Sequence, residues 1–384
     1  MNVRPAIRTA QSAATDARLA VCEFHRAVAQ PDMGLVIFFC SSDYDLNVLA
    51  AEMAQNFAGV SVVGCTTAGE IGPLGYLEHT LVGASFSSVT CTAVTARLDG
   101  LRTFGPVRGQ AFAQTLLQRL ESVAPQADLD NSFAFMLIDG LATREELVTR
   151  VLQTALGKIP LFGGSAGNGL HFNQTHVYYE GCFHTDSAVL TLVSTTLPFR
   201  IFKTQHFVAT DERLVITRAD TANRIVKEIN GLPAAEEYAR LVGVDVRSLD
   251  PSHFATSPVV VLIDGAEYVR SIQKTNPDGS LTFYCAIEEG LVFRVAQGVD
   301  LVENLKQTFA QLREDIGPLQ FVLGCDCVLR NLEITQSGMK GRVEEIFRDN
   351  HTVGFGTYGE QYNGVHVNQT LTGIAIGSEE LANV

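Results

Sequence analysis

The sequence predicts an α/β fold with mixed sheets, arranged as two related domains built from a repeated strand–helix–strand–turn–strand unit. Three observations predict it. The phrase NGLHFNQT (168–175) returns as NGVHVNQT (363–370). The block VGCTTAGEIGPLGYLEHTLVG (63–83) aligns without a gap to VGFGTYGEQYNGVHVNQTLTG (353–373), sharing Val, Gly, Thr, Gly, Glu, Thr, Leu and Gly. A middle block, FGGSAGNGLH (162–171), opens on a similar turn but lacks three residues before its NG phrase, and three such blocks in one order mark duplication.

Residues 1–33 read as a helical lead-in, and 34–229 as the first domain. The apolar run LVIFFC (35–40) is short and rich in branched and aromatic residues, which is the pattern of a buried strand. Leu46, Leu49, Met53 and Phe57 then fall on one face of a helix. TCTAVTARL (90–98) alternates, as a strand with one wet face does. FAFMLI (133–138) repeats the buried strand, and Leu147, Val148, Val151 and Leu152 repeat the helix. The second domain runs from 230 to 384, opening at the punctuation NGLP (230–233) with a helix over AAEEYARL (234–241). Within it, VVVLI (259–263) reads as a strand, and NPDG (276–279) as a hairpin turn between YVRSI (268–272) and LTFY (281–284). Leu301, Val302, Leu305, Phe309 and Leu312 give a helix, LQFVLG (319–324) the third buried strand, and 343–347 a short helix.

Composition narrows the function. Of 384 residues 46% are apolar and 18% charged, which excludes disorder. A net charge of −14 with no basic run argues against nucleic acid and anionic membrane as partners. No apolar run reaches the roughly 18 residues of a spanning helix, and the first twenty residues lack the apolar centre of a signal peptide. The expectation is a cytoplasmic protein with its eight cysteines reduced; Cys325 and Cys327, which end a buried strand, read as structural thiols, with redox chemistry or thiolate ligation as the alternative.

The repeated letters nominate a site. Glycines in the turns permit positive φ or close backbone approach. Thr67, Ser165 and Thr357 can hydrogen-bond neighbouring backbone, and Glu70 and Glu360 follow the last glycine of their turns. If each NG phrase starts a strand, period two puts His171, Asn173 and Thr175 on one face and His366, Asn368 and Thr370 on its counterpart. Packed pseudo-symmetrically, the two faces would line one cleft and bind a small ligand. In the first copy Tyr76 holds the His366 position.

Two catalytic motifs are weighed and set aside. GGSAG (163–167) has the form of a nucleophile elbow around Ser165, but an elbow leads into a helix and this turn leads into NGLHFNQT. GFGTYG (354–359) has the form of a dinucleotide turn but is likewise followed by a strand signal. With no complete catalytic constellation, the expectation is a binding protein and not an enzyme. A hydrolase using Ser165 is the alternative from another class.

VVGCTTAGEIG (62–72), FVLGCDCVLR (321–330), NGLPAAEEY (230–238) and VGFGTYGEQYNGVHVNQTLT (353–372) together resemble the FIST family of sensory proteins. That resemblance implies a two-domain signal-input module for a small ligand. A chain of this length without an attached output domain is similar to the nitric-oxide-sensing members. That implies a noncovalent haem b binding nitric oxide, a partner histidine kinase, and cyclic-di-GMP and biofilm control downstream. The resemblance supplies no axial ligand for the iron; the repeat nominates His171 and His366. A receptor for another small molecule such as an amino acid is the alternative, and the reading leaves room for a homo-oligomer.

Overall fold

The computed structural model describes residues 6–263 and 265–378. Its frame is one unit repeated three times, each a strand, a helix, a strand, a helical segment, a strand, a short hairpin and a closing strand. Unit one runs through Ile7–Ser12, α1 (Ala17–Val28), Met33–Cys40, α2 (Leu46–Asn56), Ser61–Thr66, the hairpin Glu70–Gly72/Gly75–Leu77, and Leu81–Ser87. Unit two runs through Cys91–Asp99, α3 (Pro106–Val123), Ser132–Ile138, α4 (Glu145–Leu156), Leu161–Ser165, the hairpin Val177–Tyr179/Cys182–His184, and Ser187–Thr195. Unit three starts at Phe199–Thr204 and is then interrupted by an insert carrying α5 (Ala234–Val242) and α6 (Pro251–Thr256). It resumes with α7 (Leu301–Ile316), Leu319–Cys327, α8 (Val328–Gln336), α9 (Lys340–Asp349), Thr352–Thr357, the hairpin Glu360–Tyr362/Val365–Val367, and Leu371–Gly377.

The strand–helix–strand–turn–strand core of each unit is as the sequence predicts. The lead-in over 1–33 is not simply helical. Ile7–Ser12 is an edge strand, antiparallel to Leu81–Ser87, and its counterparts Cys91–Asp99 and Phe199–Thr204 do the same work in the other units.

The hairpins do not stay with their own units. That of unit one pairs through Glu70–Gly72 with Thr352–Thr357 of unit three. That of unit three pairs with Leu161–Ser165 of unit two, and that of unit two with Ser61–Thr66 of unit one. Each six-stranded sheet is therefore completed by a neighbour, and the exchange closes in a ring of three.

Strand alternation decides what each face buries. Leu35, Ile37 and Phe39 meet Phe133, Phe135, Leu137, Phe321, Leu323 and Cys325 in one central core between the three sheets, where Phe39 and Phe355 stack with centroids 4.2 Å apart. The alternate residues Val36, Phe38 and Cys40 turn outward under α1 and α2, as Ala134, Met136 and Ile138 do under α3 and α4. One glycine per unit is forced by this packing. A Cβ at Gly64, Gly163 or Gly354 would stand 2.6, 2.0 or 2.0 Å from the carbonyl oxygen of the parallel neighbour strand.

The insert builds its own eight-stranded sheet and core, from Phe207–Asp220 to Val292–Gly298. Residue 230 falls inside this sheet, between Ile225–Ile229 and Leu232–Pro233. The NPDG hairpin forms, but its arms are Ile272–Thr275 and Leu281–Phe283; residues 268–270 instead pair back onto Val259–Ile263. No helix among the described residues is long and apolar enough to cross a membrane.

Candidate functional site

The three glycine turns meet where the units meet. Ala68 N donates to Gly356 O (2.9 Å), Gly167 N to Thr66 O (2.9 Å) and Tyr358 N to Ser165 O (3.4 Å). This ring fixes the equivalences. Ser165 stands at the position of Thr66 and Gly356, and Ala166 at that of Thr67 and Thr357, so the sequence pairing of Ser165 with those two threonines is corrected by one residue.

Glu70 and Glu360 form the same lock twice. Thr67 Oγ1 donates to Glu70, whose other oxygen accepts from Thr80 N (3.1 Å) and Thr80 Oγ1 (2.8 Å). Thr357 Oγ1 donates to Glu360, which accepts from Thr370 N (3.3 Å) and Thr370 Oγ1 (2.7 Å). Each carboxyl ties its turn to the start of the closing strand. Burial raises both, Glu70 to about 7 and Glu360 to about 8, against the lowering effect of the threonine hydrogen bonds. Unit two makes the lock from other residues, with Thr175 Oγ1 and Asp186 N both donating to Asp139.

The two NG phrases do not fold alike. Residues 363–370 form the hairpin arm Val365–Val367, and His366, Asn368 and Thr370 are all buried. Residues 168–175 are a loop, with His171 and Asn173 exposed. The missing three residues explain it: the exchanged hairpin of unit two is made further on, at 177–184, so the earlier phrase is left to span the gap. Among the described residues, the Asn173 side chain is held by the Asn168 amide.

His171 and His366 consequently face different surroundings and share no cleft. The His366 ring lies against Gly359, where a Cβ would come within 2.3 Å of Cε1. Gln361 Nε2 sits 3.3 Å from its Nδ1 and donates to Ser165 Oγ at 3.0 Å. An amide therefore separates the serine from the imidazole. Burial lowers His366 to about 4. Its Nε2, the Gln361 Oε1 and both Asn368 side-chain polar atoms have no hydrogen-bond partner among the described residues.

A cleft of about 370 Å³ opens above the turns, lined by all three units. Unit one supplies 41–43, 67–70 and 78–79; unit two the loop 168–171; unit three one face of α8 through Val328, Asn331, Leu332 and Thr335. Three of the nominated residues meet here: Thr67, Glu70 and His171. Ser165, Thr357, Glu360, His366 and Asn368 lie in the buried cluster below, and Asn173 lies outside both. The lining includes the carboxylates Asp43, Glu70 and Glu78 and no Lys or Arg. Asp43 lies against the His79 imidazole, both exposed. Sequence reasoning missed Asp43, Glu78 and α8 because it followed letters that the copies share. The counterparts of Asp43 and Glu78 in unit three are Leu329 and Asn368.

Neither imidazole fits a haem. His171 is exposed beside a cleft whose acidic groups oppose propionates. His366 is packed ring-first on Gly359 and Gln361.

No curated protein matches the chain. Among solved structures, a cyanuric acid hydrolase described as an innovation by structural concatenation is similar at 10% identity and a TM-score of 0.35, over 97% of this chain and 99% of that one. The cyanuric acid hydrolase from A. caulinodans is similar at 8% identity and a TM-score of 0.36, over 98% of this chain and 100% of that one. Likenesses this distant bear on no assignment. The FIST N domain matches residues 34–232 and the FIST C domain residues 234–363. With both domains matched in order, the chain belongs to the FIST family of small-ligand sensors in signal transduction.

Proposed function

We propose that this chain senses a small organic molecule bearing an ammonium group, bound in the cleft where the three units meet. The observation that carries the reading is that cleft: about 370 Å³, walled by all three units, with the exposed carboxylates Asp43 and Glu78, the buried carboxyl of Glu70, and no Lys or Arg in its lining. Pockets of this size suit metabolites. Asp43 and Glu78 are both exposed, so each contributes on the order of 1 kcal/mol or less to holding a cation, and about as much against an anion. Ser42, Asn168 and Asn331 supply hydrogen-bonding groups, while Leu170, Val328 and Leu332 supply apolar contact. An amino acid fits this wall through its ammonium end, since no Lys or Arg in the lining pairs with its carboxylate. The haem-based nitric oxide reading is disfavoured by the acidic groups beside His171 and by the close packing of His366 on Gly359, and the histidine kinase partner rests on the family resemblance alone. Titration calorimetry with 1,4-diaminobutane, lysine, leucine and succinate tests the proposal. Binding of the cations, with succinate silent, is the expected result. Tight succinate binding, or a Soret band responding to nitric oxide after haem reconstitution with no amine binding, overturns it.

A further inference from the structure

The threefold repeat allows one site to be compared with its own counterpart. Ser41 N bonds Thr80 O at 3.1 Å as Cys327 N bonds Thr370 O at 3.1 Å. Residues 41–43, 67–70 and 78–79 of the open cleft thus correspond to 327–329, 357–360 and 368–369. In unit one these residues border the cleft. In unit three the insert packs on Cys327, Val328, Leu329, Tyr358 and Gln369 of this set, Val328 also bordering the open cleft. Ala255 and Tyr284 pack on Cys327, Val328, Leu329 and Tyr358. Gln369 Nε2 donates to Phe254 O at 3.0 Å, and Arg270 Nη1 to His366 O at 3.1 Å. Arg224 of the insert is clamped by Glu145 (2.6 Å) and Glu146 (2.7 Å) at the start of α4, and Glu146 also accepts from Ala286 N. The insert is docked into the positional twin of the ligand cleft.

Two physical links run from the open cleft to this docked insert. The first is α8. Val328, Asn331, Leu332 and Thr335 border the cleft, while Arg330 and Glu333 hold His206. Arg330 Nε lies 2.7 Å from Asp326 Oδ1, its Nη1 lies 3.2 Å from His206 Nδ1, and His206 Nε2 lies 3.0 Å from Glu333. His206 stands at the crossing into the insert, and Val299 N, at the crossing back, donates to His206 O at 2.8 Å. Both hinge strands are therefore tied to one helix. The second link is the cleft loop 168–171. It leads into Phe172, whose ring lies 4.5 Å from Tyr358 and 5.7 Å from Tyr284 of the insert.

We infer that residues 205–300 are the output module of the sensor, and that α8 couples their docking to occupancy of the cleft. The inference rests on the cleft being the ligand site, and the test separates the two. Coupling between sites is reciprocal, so a loosened hinge must be felt in the cleft. Hydrogen exchange by mass spectrometry on the full chain compares wild type with Glu333→Gln, which removes the charged partner of His206 without touching the cleft lining. The expected result is faster exchange by about tenfold at 204–208 and 297–301, and also at 168–172 and 41–43, in line with typical coupling factors. A rise confined to the hinge overturns the coupling. Thr335→Trp fills the cleft from α8 and leaves the His206 network intact; exchange at the hinge is expected to change, and unchanged exchange there also overturns it. Adding 1,4-diaminobutane to wild type separates the premises. Cleft protection with an unaltered insert overturns the coupling and leaves the ligand reading standing. No cleft protection, with the Glu333→Gln effect present, overturns the ligand reading alone.

Discussion

Glu360→Gln is the perturbation whose magnitude follows most directly from the structure. Glu360 is fully buried, and its carboxyl ionises near 8, against an ordinary value of 4.5, because burial penalises the charged form. The folded state therefore holds this proton over a pH range in which the unfolded chain has already lost it. Stability from this group is complete below about pH 4.5, falls as pH rises, and is gone above about pH 8, a total of up to about 5 kcal/mol at 1.36 kcal/mol per pKa unit. A glutamine amide keeps the shape and the threonine contacts but does not ionise. Urea unfolding at intervals from pH 5 to pH 9 measures the effect. Wild type is expected to lose several kcal/mol more than Glu360→Gln over that range, and the two curves to run parallel above pH 8 to 9. Parallel curves throughout the range would refute the reasoning, because they would mean that Glu360 is charged and compensated in the fold.

Three further outcomes follow from the same geometry. Gly354→Ala places a methyl 2.0 Å from the Gly324 carbonyl oxygen, so urea unfolding should show a loss of about 2–4 kcal/mol or a chain that fails to fold, as overpacked backbone sites do. Phe39→Ala, which empties the stack on Phe355 in the central core, should cost about 3–5 kcal/mol in the same assay. Asp43→Asn and Glu78→Gln, both at exposed positions of the cleft wall, should each weaken 1,4-diaminobutane binding by about threefold to tenfold in calorimetry, with the melting temperature of the free protein moving little.

Much of the fold was legible because its signals are local. The runs at 35–40, 133–138 and 319–324 are buried strands, and their alternation serves two cores at once. The glycines of the repeat were legible too, since Gly64 and Gly354 stand where only hydrogen fits. Glu70 and Glu360 were singled out, and they are the carboxyls of a duplicated lock. The exchange of hairpins left no trace in the letters. A strand pairs through its backbone, so nothing in Glu70–Gly72 says that its partner lies nearly 300 residues on, at Phe355. The two NG phrases misled for a related reason. Six of eight letters agree, but three missing residues upstream move the unit-two hairpin to 177–184 and turn its phrase into the cleft loop. The cleft itself depends on what differs between copies, Asp43 against Leu329 and Glu78 against Asn368, and a search for repetition passes over such positions.

That the ligand sits where the three units meet is tested most directly by a crystal structure of the protein soaked with 1,4-diaminobutane. Density for the diamine is expected between residues 41–43, 78–79 and the loop 168–171, with an ammonium nitrogen within about 3 Å of the Asp43 or Glu78 carboxylate. A vacant cleft at saturating diamine, or density only in the buried cluster around His366 and Asn368, would contradict it.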